Sequence, residues 1–349
     1  MPTNADTVDA DTVDLAFAGS GWIAAVHGYA VRHVPGLRIS KVASRDPAQA
    51  TVAAERLKAE ACTYAELPAA ADGVVVCTPP AQHLEHAQLA IAGGAGVLIE
   101  KPLCTTLAEA DVLVAAENDG ARIAYAENLL HAPILRLAVA HAAQLHAIDL
   151  VEVRALQSRP TWGDFLTEGW GGGVLFDLGV HPLAVALVLA APAIPVEVCA
   201  RLEGTEDHPV DEHAEVTIHF DTGLLARVTA SWRGADTPTW DAQVSAPDGV
   251  VRMELLPALV LERNGVEVPL PGIPEGVPAQ LEELGYLPQM EAFAQDLQQH
   301  RTPELGAAFG RSILDVVCAA YASAGQDNEW VALPFEGPRD RTPLQLWQG

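Results

Sequence analysis

The chain reads as two domains in series: an N-terminal α/β domain built on a parallel sheet, then a C-terminal α+β domain whose large, mostly antiparallel sheet is open on one face. Three observations lead there. From residue 13 to about 128, short β-branched runs alternate with Ala-rich helical stretches, the rhythm of right-handed βαβ units. Beyond about residue 130 this gives way to alternating segments punctuated by tight turns, the pattern of antiparallel strands. Finally, 349 residues, half of them hydrophobic, exceed what one core comfortably fills.

In chain order, strands are expected at 14–18, 37–43, 73–77, 96–99 and 122–126, with helices at 23–33, 47–60, 81–92 and 107–118. These strand runs are almost wholly apolar, as strands covered on both faces should be. A helix at 134–146 and a strand at 149–157 follow, then a Gly-rich stretch leading into a long apolar helix. Further strands are expected at 215–220, 224–232, 239–245, 250–255 and 259–263. Asp221-Thr222-Gly223 and Pro247-Asp248-Gly249 are hairpin turns between them. Two last helices, 288–300 and 306–324, are expected to return to the body of the protein. The boundaries are then a disordered tail at 1–12, a first domain at 13–130, a second at 131–335 and a C-terminal tail at 336–349.

Twenty Lys and Arg stand against 46 Asp and Glu, a formal charge of −26. Such a surface repels phosphate backbones and anionic lipid, so neither nucleic acid nor membrane is an expected partner. Any anionic ligand must be held by local features. Five cysteines, an odd number without a CxxC pair, suit reduced thiols. The first twelve residues lack the basic and apolar regions of a signal peptide, and the apolar stretch at 182–198 is interrupted by Pro192 and Pro195. A cytoplasmic location is expected.

Directly after the first strand comes Gly19-Ser20-Gly21-Trp22-Ile23-Ala24, the G-x-G-x-x-A fingerprint of a Rossmann dinucleotide-binding domain. The glycines permit the tight turn and the close approach of a pyrophosphate, which the following helix N-terminus attracts. The second strand ends in Ser44-Arg45-Asp46. A ribose 2′-hydroxyl usually meets a carboxylate at this point, whereas a 2′-phosphate wants a hydroxyl and an arginine. The cofactor is therefore NADP or NAD, with NADP preferred. The bland alternative is a solvated Arg45, with Asp46 capping the helix that opens at Pro47.

Three segments carry the candidate chemistry: Cys77-Thr78-Pro79-Pro80-Ala81-Gln82-His83, Glu100-Lys101-Pro102, and the Gly-rich run from Gly171 to Pro182. The first two lie at C-terminal strand ends, where open α/β sheets bind ligands. Asp177 and His181, four apart, would share a helix face. A carboxylate beside an imidazole makes a general base, and a partly desolvated Lys101 could hold or donate a proton. A structural pair or a metal site is the competing reading, but no third ligand has recognisable spacing and no metal is expected. His83-Leu84-Glu85-His86 suits cofactor contact or a helix start. The run from Glu206 to His213 suits a solvated loop.

These motifs, in order over about residues 13–333, resemble those of the glucose–fructose oxidoreductase, inositol dehydrogenase and rhizopine-catabolism (Gfo/Idh/MocA) family. The resemblance implies an NAD(P)-dependent dehydrogenase or reductase acting on a sugar, cyclitol or related polyol, with Lys101, Asp177 and His181 as the catalytic trio. It places Gly19, Ser20, Gly21, Trp22, Ile23, Ser44, Arg45, Thr78, Pro79, His83, Glu100, Lys101 and Asn128 along the cofactor. It also implies that Pro102 is often a cis proline.

Two departures stand out. Where relatives often continue Asn-Arg-Phe, this chain reads Asn128-Leu129-Leu130-His131, so His131 stands as a candidate substrate residue; and Ala184 occupies a position where many relatives have Asp. Trp162 and Trp170 could stack on a sugar ring or simply anchor their loop. Three alternatives share the fold: a non-catalytic dinucleotide-sensing regulator, an NAD-using glycosidase and, less favoured by the intact trio, a dihydrodiol- or biliverdin-type reductase. Relatives commonly pair their sheets, which implies a homodimer or homotetramer through an uncovered face bearing Val216, Ile218, Val228 and Trp232.

Overall fold

The computed structural model describes residues 12–68, 71–161 and 163–349. The expected N-terminal tail, residue 12 apart, and Trp162 fall outside them. The first domain is a six-stranded, wholly parallel sheet in the order β3-β2-β1-β4-β5-β6. Its strands are β1 (Val13–Ala18), β2 (Leu37–Ala43), β3 (Glu60–Cys62), β4 (Gly73–Val76), β5 (Gly96–Glu100) and β6 (Ile123–Ala126). The order reverses between β1 and β4, which opens a crevice at the strand ends where dinucleotides bind. Helices α1 (Trp22–Val31) and α2 (Pro47–Leu57) cover one face, and α3 (His83–Ala92) and α4 (Leu107–Asn118) the other.

The second helix was expected to run to residue 60, where the short edge strand β3 begins. Instead α2 stops at Leu57, because Lys58 adopts a left-handed φ of 59° and ends the helical run. Asp46 does cap α2, accepting from the Ala48 N–H.

After α5 (Pro133–Ala142) comes a nine-stranded sheet built from β7 (Leu150–Leu156), β8 (Pro195–Gly204), β9 (Asp211–Phe220), β10 (Leu225–Ser231), β11 (Thr239–Ala246), β12 (Gly249–Leu256), β13 (Val260–Arg263), β14 (Val266–Glu267) and β15 (Val331–Ala332). Its order is β14-β13-β12-β11-β7-β10-β9-β8-β15, antiparallel throughout except for the β7–β10 pair. Gly223, at φ 86°, turns the β9–β10 hairpin. Strand β8 escaped the sequence reading because its start merges with a Pro-broken apolar stretch. Its alternation is nevertheless regular, with Val198, Ala200 and Leu202 buried.

The sheet's covered face meets α6 (Val174–Asp177), α7 (Val180–Ala190) and α10 (Ala307–Gly325). Here the expectation for the open face is corrected. Val216, Ile218, Val228 and Trp232 are all buried against the helices, since burying the apolar set of a period-two strand is what holds sheet to helix. The opposite face carries Arg154, Arg227, Glu152, Glu215 and Asp241, partly neutralised by the Arg154–Asp241 and Arg227–Glu152 ion pairs.

The chain's end closes the structure. Helix α9 (Tyr286–Gln298), which follows the short α8 (Ala279–Glu283), buries Leu287, Met290, Phe293 and Leu297 on the first domain beside Leu15 and Leu98. Residues 336–349, expected as a tail, instead include α11 (Pro343–Gln348), which packs on α10 with Leu344 and Leu346 buried. The Leu344 N–H donates to the Gly171 carbonyl, fastening this end to the Gly-rich segment. Among the described residues no single helix is long and apolar enough to cross a membrane.

Candidate active site

A cavity of about 590 Å³ runs from the end of β1 to the second domain. At one end lies the turn from Gly19 to Ile23. Gly19 sits at φ 118°, and a Cβ there would come within 2.6 Å of the Cys77 carbonyl oxygen, so only glycine fits. A Cβ on Gly21 would meet nothing within 4 Å, and no side chain caps the start of α1. The first-turn N–H groups therefore face open space with the helix's partial positive charge, which fits a pyrophosphate. Ser20 donates to the Ser44 hydroxyl at 2.9 Å, and exposed Arg45 lines the same end with no carboxylate partner among the described residues.

At the other end three acid–base pairs converge. Glu100, closing β5, meets His27 Nε2 of α1 at 2.6 Å and accepts the Lys101 N–H at 3.0 Å. Burial would raise this carboxyl's pKa, but His27 and Lys101 outweigh burial and hold it below its ordinary value. The Lys101–Pro102 peptide is cis. Lys101 Nζ donates to the Asp177 carbonyl at 2.9 Å and to its carboxylate at 3.1 Å. Burial alone would lower the lysine's pKa; Asp177 and Glu100 overcome it and raise the value, keeping the ammonium charged. His181 Nδ1 meets the Glu127 carboxylate at 2.7 Å. Its Nε2 has no protein partner among the described residues, and the ring lines the cavity.

The expected Asp177–His181 pairing is thereby corrected. Between the segment Glu168–Asp177, which ends in α6, and α7 the chain bends by 44°, so the four-residue spacing no longer stacks the two side chains. Asp177 turns to Lys101, and His181 to Glu127. The bend is held from behind. The carboxylate of Asp211 accepts from the Gly173 N–H at 3.0 Å, the Leu175 N–H at 2.9 Å and the Tyr321 hydroxyl at 2.5 Å, capping the start of α6. A Cβ on Gly173 would overlap the Asp211 backbone. Asp211 and Glu212 are buried on β9, not part of the solvated loop expected there, and burial raises the pKa of Asp211.

Of the other expected residues, Trp22, Thr78, Pro79, Asn128 and Trp170 line the cavity. Two do not. His83 is wholly buried, its ring nitrogens 2.7 Å from the Thr78 carbonyl and 2.9 Å from that of Pro102; it ties the two cofactor-side turns together. His131 lies in a second cavity with Arg136 and Gln289, because the short helical turn at Asn128–His131 carries it away from the catalytic end.

Glu127, His27, Trp240, Tyr286, Phe165 and Gln157 were not assigned from sequence. Glu127 had a usable signal, since it follows β6 at a C-terminal strand end just as Thr78 and Lys101 follow theirs. Trp240 on β11, with its ring 5.5 Å from that of His181, had none.

Fold and site together define a dinucleotide-dependent oxidoreductase. The chain belongs to the Gfo/Idh/MocA family: residues 13–127 match the model described as "Oxidoreductase family, NAD-binding Rossmann fold" and residues 141–252 that of the GFO/IDH/MocA C-terminal domain. It is 27% identical, over 94% of this chain and 99% of the other, to a protein of Amycolatopsis mediterranei named, provisionally, a UDP-kanosamine synthase oxidoreductase subunit. It is 28% identical to D-xylose 1-dehydrogenase (NADP(+)) 2 of Haloferax volcanii, over 81% and 88% of the two chains. Levoglucosan dehydrogenase, solved with NADH and L-sorbose, shares the fold with a TM-score of 0.84 at 18% identity, over 93% of this chain and all of that one.

The second cavity yields a pH prediction. Burial, then Arg136, lowers the His131 pKa from 6.5 to about 4. As pH falls, the unfolded chain binds this proton first. The stability is thus fully present above 6.5 and is lost between about 6.5 and about 4. At 1.36 kcal/mol per unit over the drop from 6.5 to about 4, the loss is roughly 3 kcal/mol. In urea melts across that range, His131→Asn should flatten the wild-type slope by about this amount. An identical slope would contradict the assignment.

Proposed function

We propose that the protein transfers hydride between NADP or NAD and a hydroxyl or carbonyl carbon of a sugar, cyclitol or related polyol. The observation that carries this reading is the convergence of Lys101 and His181, each held by its own carboxylate, in the cavity that begins at the glycine turn. When bound, the nicotinamide supplies the two-electron acceptor or donor. In the oxidative direction His181 Nε2 takes the hydroxyl proton, while Glu127 fixes the ring through Nδ1 and balances the imidazolium. Lys101, kept charged by Asp177, donates a hydrogen bond to the oxygen as negative charge grows there. In reduction the same proton returns from Nε2 to the oxygen.

Lys101→Ala and His181→Ala should each lower kcat by about 10²–10⁴-fold while cofactor affinity by fluorescence titration stays near wild type. Glu127→Gln should cost about 10²-fold or more and, in the oxidative direction, shift the acidic limb that reports the imidazole. Wild-type turnover in both alanine variants would refute the mechanism.

The reading favours NADP, supported by the Ser20–Ser44 hydroxyl pair and by Arg45 at the open end. Arg45→Ala should raise the KM for NADP about tenfold or more, as expected for loss of one charged phosphate contact, with little change for NAD. Equal effects on both cofactors would remove the preference. The charged open face of the nine-stranded sheet is proposed as the seat of a homodimer or homotetramer, since a self-complementary mixed-charge surface can pair about a two-fold axis. Light scattering should give a multiple of 36.8 kDa; a monomer would exclude it.

A further inference from the structure

The charges and rings around the catalytic end restrict the substrate more narrowly than the class of reaction does. At that end Glu100 and Asp177 line the cavity and buried Glu127 stands directly behind the His181 ring, three carboxylates against one ammonium, Lys101. Whatever the state of His27 and His181, this group has no positive surplus. Lys101 is already engaged by Asp177 at 3.1 Å. The lining's other cation, Arg45, lies at the glycine-turn end, while Arg159, next to Pro160 of the lining, meets Glu212 at 2.8 Å, and Arg233 meets Glu203 at 2.5 Å and Glu212 at 3.7 Å. No lysine or arginine occurs among residues 1–11, 69, 70 and 162. An anionic substrate would find no unpaired cation there to replace its hydration, in a chain of formal charge −26.

The same end also supplies rings. Trp240 stands 5.5 Å from the His181 ring, Trp170 packs on Phe165 at 4.4 Å, and Tyr286 lines the same space. Flat, half-apolar surfaces of this kind take the C–H face of a pyranose or cyclitol and leave its hydroxyls free to bond. Gln157 and Asn128 are neutral polar groups in the lining.

We infer that the substrate is an uncharged sugar, cyclitol or simple glycoside seated against Trp240, and that phosphorylated, carboxylated and nucleotide-linked sugars are discriminated against. The inference rests on the dehydrogenase reading above, so its test separates binding from turnover. The NADPH- or NADH-loaded protein, which cannot oxidise a hydroxyl, is titrated calorimetrically with D-glucose, D-xylose, myo-inositol and methyl β-D-glucoside. The same titrations use glucose 6-phosphate, glucuronate and UDP-glucose.

At least one neutral compound should bind about tenfold or more tightly than every anionic one, and Trp240→Ala should weaken it about tenfold. An anion binding as well as its neutral counterpart, no binding by any neutral compound, or unchanged affinity in Trp240→Ala would each overturn the inference. Turnover with the oxidised cofactors is measured in parallel. Neutral compounds that bind with this selectivity but are never oxidised would sink the dehydrogenase reading and leave the charge selectivity standing.

Discussion

The constraint on which the site depends is the separation of two partly buried acid–base pairs, Lys101–Asp177 and His181–Glu127. A lysine and a histidine sharing one carboxylate would compete for it, and whichever lost would be a buried charge without a partner, a costly state. With a carboxylate each, the ammonium stays charged and the imidazole is fixed through Nδ1, leaving Nε2 facing the cavity without a protein partner among the described residues. Division of labour follows from electrostatics. In the mechanism proposed above, the first group stays a cation and the second carries the exchanged proton.

That separation is produced far from the chemistry. Asp211 on β9 caps α6 by accepting from two backbone N–H groups and from Tyr321 of α10. It fixes where α6 starts, one turn before the bend. The C-terminal residues reinforce the same segment, since Leu344 donates to Gly171 and α11 packs on α10. On the cofactor side His83 plays the equivalent part, joining the turn after β4 to the turn after β5 through two carbonyls. Both devices are buried polar groups held against backbone: Asp211 accepts two N–H bonds, and the His83 ring, which burial keeps toward its neutral form, donates its single N–H to one of the carbonyls beside it.

Much of this architecture was legible in advance. Strand and helix alternation with the glycine fingerprint announces the parallel sheet, because local periodicity and turn chemistry are themselves local properties. Lys101 and the cofactor turn were legible for the same reason: each sits directly after a strand, at a position that topology alone makes a ligand crevice. Glu127 obeys that rule too and was within reach. The edge strand β3 and the long strand β8 were hidden by weak or Pro-interrupted patterning, and the open sheet face was misassigned because alternation reveals two faces without saying which one the helices will cover.

By itself the chain determined the two-domain plan, the dinucleotide turn and the identity of Lys101 and His181, all of which follow from the residues' own spacing and neighbours. Only the tertiary structure decided who pairs with whom. Partners such as Glu127 for His181, Trp240 beside it, or Asp211 beneath α6 lie 54, 59 and 36 positions or more from what they touch. Contacts across such separations depend on how sheets and helices stack, and on a bend that overrides the four-residue repeat of a straight helix, which no local pattern encodes.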